Sequence, residues 1–103
     1  MSEQAAYDFE WDAVKALANA HKHGVTFDQA ATVFQDALAL TVFDADHSEY
    51  EERWFTLGFD AGGALMAVSH TFQATTTARI RVRLISVRPA TRRERQFYEN
   101  EPR

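Results

Sequence analysis

The 103-residue chain reads as a single α+β domain over residues 1–103, built on a mostly antiparallel sheet of about four to five strands. Two helices near the N-terminus and one at the C-terminus complete the order β-α-α-β-β-β-α. Three observations predict it. Apolar and polar residues alternate with strand periodicity at residues 7–11 and 79–84, and residues 53–59 and 64–72 are apolar-rich strand-like runs. Helix starts are marked by Asp12, by Thr26 with Gln29, and by Thr91 with Glu94, the last two in capping-box spacing. Finally, the turn Asp60-Ala61-Gly62-Gly63 separates two strand-like runs and makes them a hairpin.

Taken in order, Tyr7–Trp11 is a short aromatic strand. Asp12 caps a helix whose Val14, Leu17, Ala18 and His21 recur at helical spacing and are expected to face the core. Lys15, Asn19 and Lys22 form a second, polar stripe, with His23 one turn beyond Asn19; Gly24 is the expected left-handed C-cap. The next helix carries an apolar stripe of Phe27, Ala30, Ala31 and Phe34, and residues 38–43 follow as a strand. Residues 44–52 (DADHSEYEE) hold five acids in nine positions and read as a solvated loop. On the hairpin's second strand His70 shares a face with Met66 and Val68, so a buried, hydrogen-bonded histidine is expected; Thr75, Thr76 and Thr77 read as a loop. Packing the helices largely on one face of the sheet satisfies this order.

Composition narrows the function classes. Hydrophobic residues make up 46% and aromatics 13%, with four Gly and two Pro, as in ordinary globular proteins. Without cysteine there is neither a disulfide framework nor a thiolate metal site, and a reducing cytoplasm is the expected location. The opening MSEQAAYDFEW lacks a basic flank and an apolar run, so no secretory leader is expected; nor does any stretch approach the length of a membrane span. The four histidines show no His-x₃-His pattern, no Gly-rich loop follows a strand, and no Ser sits in a nucleophile turn. Metal, nucleotide and serine-hydrolase chemistry are therefore disfavoured.

Charge is divided unevenly. Residues 1–78 carry three cations against twelve acids, whereas residues 79–103 carry eight against three. Seven of the eleven cations fall within RIRVRLISVRPATRRER, residues 79–95. Arg79, Arg81 and Arg83 alternate with Ile80, Val82 and Leu84, so one strand face is core and the other is charge. Arg92 and Arg93 then occupy the first turn of the closing helix, where the macrodipole disfavours cations. Two explanations stand at this point: the arginines coat a solvated face, with Arg92 and Arg93 pairing with Glu94 or Glu99, or they await an anionic partner.

Cleavage of RNA is the chemistry that such a chain can support with little machinery. The substrate supplies its own 2′-hydroxyl nucleophile. The protein must align it, stabilise added charge on phosphorus and move protons. Arginines serve the second role bidentately, and a histidine, lysine or carboxylate the third. Lys22 and His23 at a helix end, and Arg53, Arg81, Arg83 and Arg88 on strands, are the residues of those types.

The chain resembles the BrnT family of bacterial toxins, RelE-like ribonucleases of type II toxin–antitoxin systems. The resemblance rests on FEWD followed by Lys15, KHGVTF at 22–27, HSEYEER at 47–53 with Leu57-Gly58 after it, His70-Thr71, and RVRLISVRPATRRER at 81–95, in the family's order. It implies a RelE-like fold and a metal-independent endoribonuclease without cofactor. It also implies a BrnA-like antitoxin partner, with operator DNA bound only through the toxin–antitoxin complex. Carried onto matching positions, the catalytic candidates are Lys22, His23, Glu51, Arg53, Arg83 and Arg88. Trp11, Arg79, Arg81, Arg92 and Arg93 are candidates for RNA contact, with a core position for Trp11 equally open. Relatives often carry Pro where this chain has Ala13, and a shorter connection where it has FQATTTA at 72–78. The rival reading is a non-catalytic module whose basic surface holds an antitoxin or operator DNA as a co-repressor.

Overall fold

The computed structural model describes residues 6–102; residues 1–5, where the segment read for a leader begins, lie outside the described residues, as does residue 103. Its strands are β1 (Ala6–Glu10), β2 (Leu40–Phe43), β3 (Trp54–Phe59), β4 (Leu65–His70), β5 (Gln73–Thr76) and β6 (Arg79–Pro89). The helices are α1 (Ala13–His23), α2 (Phe27–Val33) and α3 (Arg92–Asn100), with a 3₁₀ turn at Ala45–His47 inside the acidic loop. The sheet order is β1-β6-β4-β3-β2, and β5 pairs with the first part of β6. Only β1 with β6 is parallel. The expected α+β architecture is therefore present, with one strand more than four to five. That strand runs through Thr75 and Thr76, expected as loop: β-branched threonines suit an extended edge, and Gln73 and Ala74 pair with Arg81 and Ile80.

All three caps form. Asp12 accepts from the Lys15 amide, Thr26–Gln29 and Thr91–Glu94 close reciprocal capping boxes, and Gly24 takes φ 70° in the left-handed region. The helices nonetheless cover both faces of the sheet. One core joins Phe27, Ala30 and Val33 of α2 to Met66, Val68, Val82, Leu84 and Val87. The other places Tyr98 of α3 against Leu57, Leu65 and Ala67. Strand alternation requires this split, because Leu65 and Ala67 point opposite to Met66 and Val68 and need cover of their own.

The stripe expected to bury α1 faces outward instead: Val14 is 76% exposed and Leu17 71%. The helix is anchored by a polar residue. Asn19 donates to the Val87 carbonyl at 2.9 Å and accepts from the Val87 amide at 3.0 Å, and it also reaches the Val25 carbonyl at 3.3 Å. Since β1 ends opposite Arg83, this amide side chain replaces the missing strand partner farther along β6.

A bulge decides where the arginines go. Ser69 pairs with Ser86 but His70 pairs with Leu84, leaving Ile85 as the extra residue. Val82 and Leu84 before it and Val87 after it consequently all face the first core. By the same shift Arg83 and Arg88, which an unbroken strand would aim to opposite sides, share the face that carries α3.

Candidate functional site

On that face the strand register lays out short rows. Arg53 precedes Trp54, which pairs with His70, so Arg53 falls level with Thr71. Thr71 in turn is tied to Arg83: its amide donates to the Arg83 carbonyl at 3.0 Å, and its hydroxyl accepts from the Arg83 amide at 3.2 Å. The next row holds Phe55, Ser69 and Ser86, and the one beyond it Leu57, Ala67 and Arg88. Two small hydroxyl-bearing residues thus lie between Arg83 and Arg88.

Glu51 joins the first row from the acidic loop. Its Oε1 accepts from Arg83 Nη2 and lies 3.8 Å from Arg53 Nη2, so one carboxylate oxygen sits between two guanidinium groups. Ser48 fixes the base of Arg53 by accepting from its amide at 2.9 Å. Among the described residues Arg53 Nε is the buried side-chain polar atom left without a hydrogen-bond partner. Such a donor is costly unless an acceptor arrives. Two hollows flank Glu51. One, of about 360 Å³, is lined by Asp46, His47, Tyr50 and Arg53 with Glu51. The other, of about 210 Å³, is lined by Glu10, Glu52, Thr71, Gln73, Arg81 and Arg83 with Glu51.

The remaining arginines of β6 are also paired. Arg79 donates through Nε to Asp8 at 2.8 Å and through Nη2 to its other oxygen; this bonding holds the Asp8 carboxyl below its ordinary value. Arg81 lies 3.8 Å from Glu10 and 3.3 Å from the Gln73 side chain. Arg88 makes a two-pronged bond to Glu94 at 2.7 and 2.9 Å and sits 5.9 Å from the centre of the Phe55 ring. Hydrogen bonding by Arg88 keeps the Glu94 carboxyl below its usual range, outweighing its partial burial. The alternation of YDFEW explains the pairing on β1, since it sends Asp8 and Glu10 to the arginine side while Phe9 and Trp11 pack on the core.

The candidates therefore divide. Glu51, Arg53 and Arg83 come together; Arg88 shares their face but is bound to Glu94. Lys22 and His23 end α1, and among the described residues no hydrogen bond or ion pair joins either side chain to that cluster. Trp11 is partly buried and meets Phe27 edge-on at 5.9 Å. Arg92 and Arg93 have no ion pair among the described residues, because Glu94 is taken by Arg88 and Glu99 lies 3.8 Å from Arg95. His70 is buried as expected. Its Nδ1 lies 3.2 Å from the Thr71 carbonyl and so carries the proton, which makes Nε2 the acceptor of the Thr56 hydroxyl at 2.6 Å. Burial drives its pKa down to about 4.

Sequence reading passed over His47. Asp44 Oδ2 lies 2.8 Å from its Nδ1, and the ring lines the same hollow as Glu51 and Arg53. The Asp-x-x-His spacing on the 3₁₀ turn was the available signal. Ser69 and Ser86 were invisible for another reason, because only the bulge sets them between two arginines. Among the described residues no group of three or more His, Asp or Glu side chains is placed to hold a metal ion, and no helix is long and apolar enough to cross a membrane.

What fold and site define is a small α+β protein that gathers guanidinium groups and their carboxylate partners on an open sheet face. Comparison with known proteins gives this class its family. The family model described as the ribonuclease toxin BrnT of type II toxin–antitoxin systems matches residues 11–94, and the chain belongs to that family. It is thus a ribonuclease toxin of a type II system. In structure it is similar to the ribonuclease toxin BrnT of Brucella abortus, known from a crystal structure at 1.1 Å resolution. The TM-score is 0.56 and the identity 21%, over 88% of this chain and 100% of that one, a likeness of fold alone. No curated protein matches the chain in sequence.

Proposed function

We propose that the chain is a metal-independent endoribonuclease that cleaves RNA through the substrate's own 2′-hydroxyl at the Glu51–Arg53–Arg83 cluster. The observation that carries this reading is the single Glu51 oxygen held between two guanidinium groups, one of which keeps a buried Nε without an acceptor among the described residues. A phosphodiester oxygen offers what that arrangement lacks. When phosphate takes Arg83, the Glu51 carboxylate is released to accept the 2′-hydroxyl proton; Arg53 and Arg83 then stabilise the charge gathering on phosphorus. The new O2′–P bond forms as the P–O5′ bond breaks, leaving a 2′,3′-cyclic phosphate, and O5′ takes up a proton. In this reading His47 supplies that proton, and Ser69 and Ser86 seat the strand between Arg83 and Arg88. Lys22 and His23, at the end of a helix whose Ala16 packs on the first core, take no step in it.

The chain is neutralised by a BrnA-like antitoxin, and operator DNA is bound only by the pair. The test is direct: the purified chain, with chelator present, cuts single-stranded RNA to 2′,3′-cyclic phosphate ends, and a single 2′-deoxy substitution at the cut position abolishes cleavage there. Cleavage that survives the deoxy substitution, or that chelator stops, overturns the mechanism.

A further inference from the structure

The far edge of the sheet carries a second surface of a different kind. Strand β2 is last in the strand order. Its pairing with β3 is phased by the Asp44 amide donating to the Arg53 carbonyl at 2.9 Å, so Leu40 and Val42 turn their peptide groups toward β3. Thr41 and Phe43 then turn theirs outward, where among the described residues they meet no partner. Leu-Thr-Val-Phe contains none of the usual protections of an open edge: no charge, no proline and no bulge. Beside this edge runs an apolar groove of about 250 Å³, formed by Leu40, Val42, Phe55 and Leu57 of the sheet and by Phe97 of α3. Val42 is 47% exposed and Phe97 54%. At the groove's rim stands Arg93, cationic, without an ion pair among the described residues and in the first turn of a helix whose N-terminal end is itself positive.

We infer that this edge and groove are where the antitoxin docks, by adding an extended segment to β2 as a further strand. This rests on the toxin–antitoxin reading above. The geometry sets the segment's chemistry. Backbone groups pair with Thr41 and Phe43, alternate apolar side chains enter the groove, and a carboxylate meets Arg93. The same geometry supplies a route to neutralisation. Phe55 forms part of the groove and also lies beneath Arg88, and Glu94 lines the groove while binding Arg88. A segment seated there bears on the Arg88–Glu94 pair from behind and reaches the rim of the RNA face without entering the Glu51 cluster.

The test uses the full chain with the antitoxin encoded beside it. Amide exchange is expected to slow at Thr41 and Phe43 when the complex forms. Val42→Lys combined with Phe97→Lys is expected to weaken the complex at least tenfold while the chain alone cuts RNA at the parental rate, which also shows that the variant is folded. A double-lysine variant that binds the antitoxin as tightly as the wild type, or protection that falls on the exposed α1 face around Val14 and Leu17 instead, overturns the inference alone. Protection of Thr41 and Phe43 in the isolated chain, with a dimer's mass, assigns the edge to a second copy and overturns it too. A wild-type chain that binds no antitoxin removes the partner reading and this inference together.

Discussion

Arg83 and Arg88 lie on one strand and one sheet face, yet they are held in different ways. Glu94, the partner of Arg88, is fixed on α3 by its own capping box with Thr91, and its side chain is 21% exposed. Glu51, the partner of Arg83, rides on an irregular acidic loop and is 40% exposed. A carboxylate already ordered by a helix loses little further freedom on pairing, whereas one on a loop must be ordered by the bond itself. The Arg88 pair therefore behaves as part of the frame that holds α3 to the sheet. The Arg83 pair, on the proposed mechanism, is the one that an incoming phosphate replaces. Arg53, with its Nε lacking an acceptor, sits at the replaceable end.

The largest expected effect follows from that difference. Replacing Arg83 by Ala is expected to lower RNA cleavage by about 10²- to 10³-fold, the scale for losing one group aimed at transition-state charge, with an unchanged thermal midpoint. Arg88→Ala is expected to lower the midpoint along with activity. If the two variants show the same profile, with activity lost and stability untouched in both, the distinction between frame and site is broken.

Acid should weaken the same end of the molecule. His70 lies directly behind Thr71, the residue whose hydroxyl accepts from the Arg83 amide, and burial lowers its pKa from 6.5 to about 4. The unfolded chain therefore binds a proton that the folded chain refuses. Stability is full above about pH 6.5 and declines as pH falls toward 4. At 1.36 kcal/mol per unit, the loss approaches about 3 kcal/mol at pH 4 and about 2 kcal/mol at pH 5. Asp8 and Glu94, whose carboxyls are held low, add their losses only below their ordinary values of 3.8 and 4.5. Urea midpoints at pH 7 and pH 5 check this, with His70→Gln expected to flatten the profile; an equal decline in that variant assigns the effect elsewhere.

Much of this arrangement was legible in the chain. Caps depend on residue types three positions apart, and all three helix starts follow from them. Strand alternation identified the charged face of β6 and the burial of His70. Two features resisted for physical reasons. Periodicity scores apolar residues, so it turned α1 by Val14 and Leu17, when the anchor is the amide of Asn19 satisfying a strand edge left open by short β1. A bulge leaves no mark in composition, and without Ile85 as the extra residue Arg83 and Arg88 would point to opposite faces. Composition and alternation thus put the arginines of β6 on one charged face, whereas the side on which Arg88 emerges depended on that one register shift.

The finest measurement separates the two pairs directly. Double-mutant cycles compare Arg88→Ala with Glu94→Gln, and Arg83→Ala with Glu51→Gln, by the coupling left after single effects are subtracted. Two parallel bonds of 2.7 and 2.9 Å to a helix-fixed carboxylate, with an aromatic ring beneath the guanidinium, are expected to give a coupling of about 1 kcal/mol. The loop-borne pair is expected to give a few tenths, about 0.2–0.5 kcal/mol, and less in high salt, since exposed charges are screened. In the presence of a non-cleavable 2′-deoxy oligonucleotide the second coupling should vanish, because Arg83 then holds phosphate in place of Glu51, while the first should persist. Equal couplings that both survive the oligonucleotide would mean that Glu51 stays on Arg83 during binding, and would leave Arg53 alone to meet the phosphate.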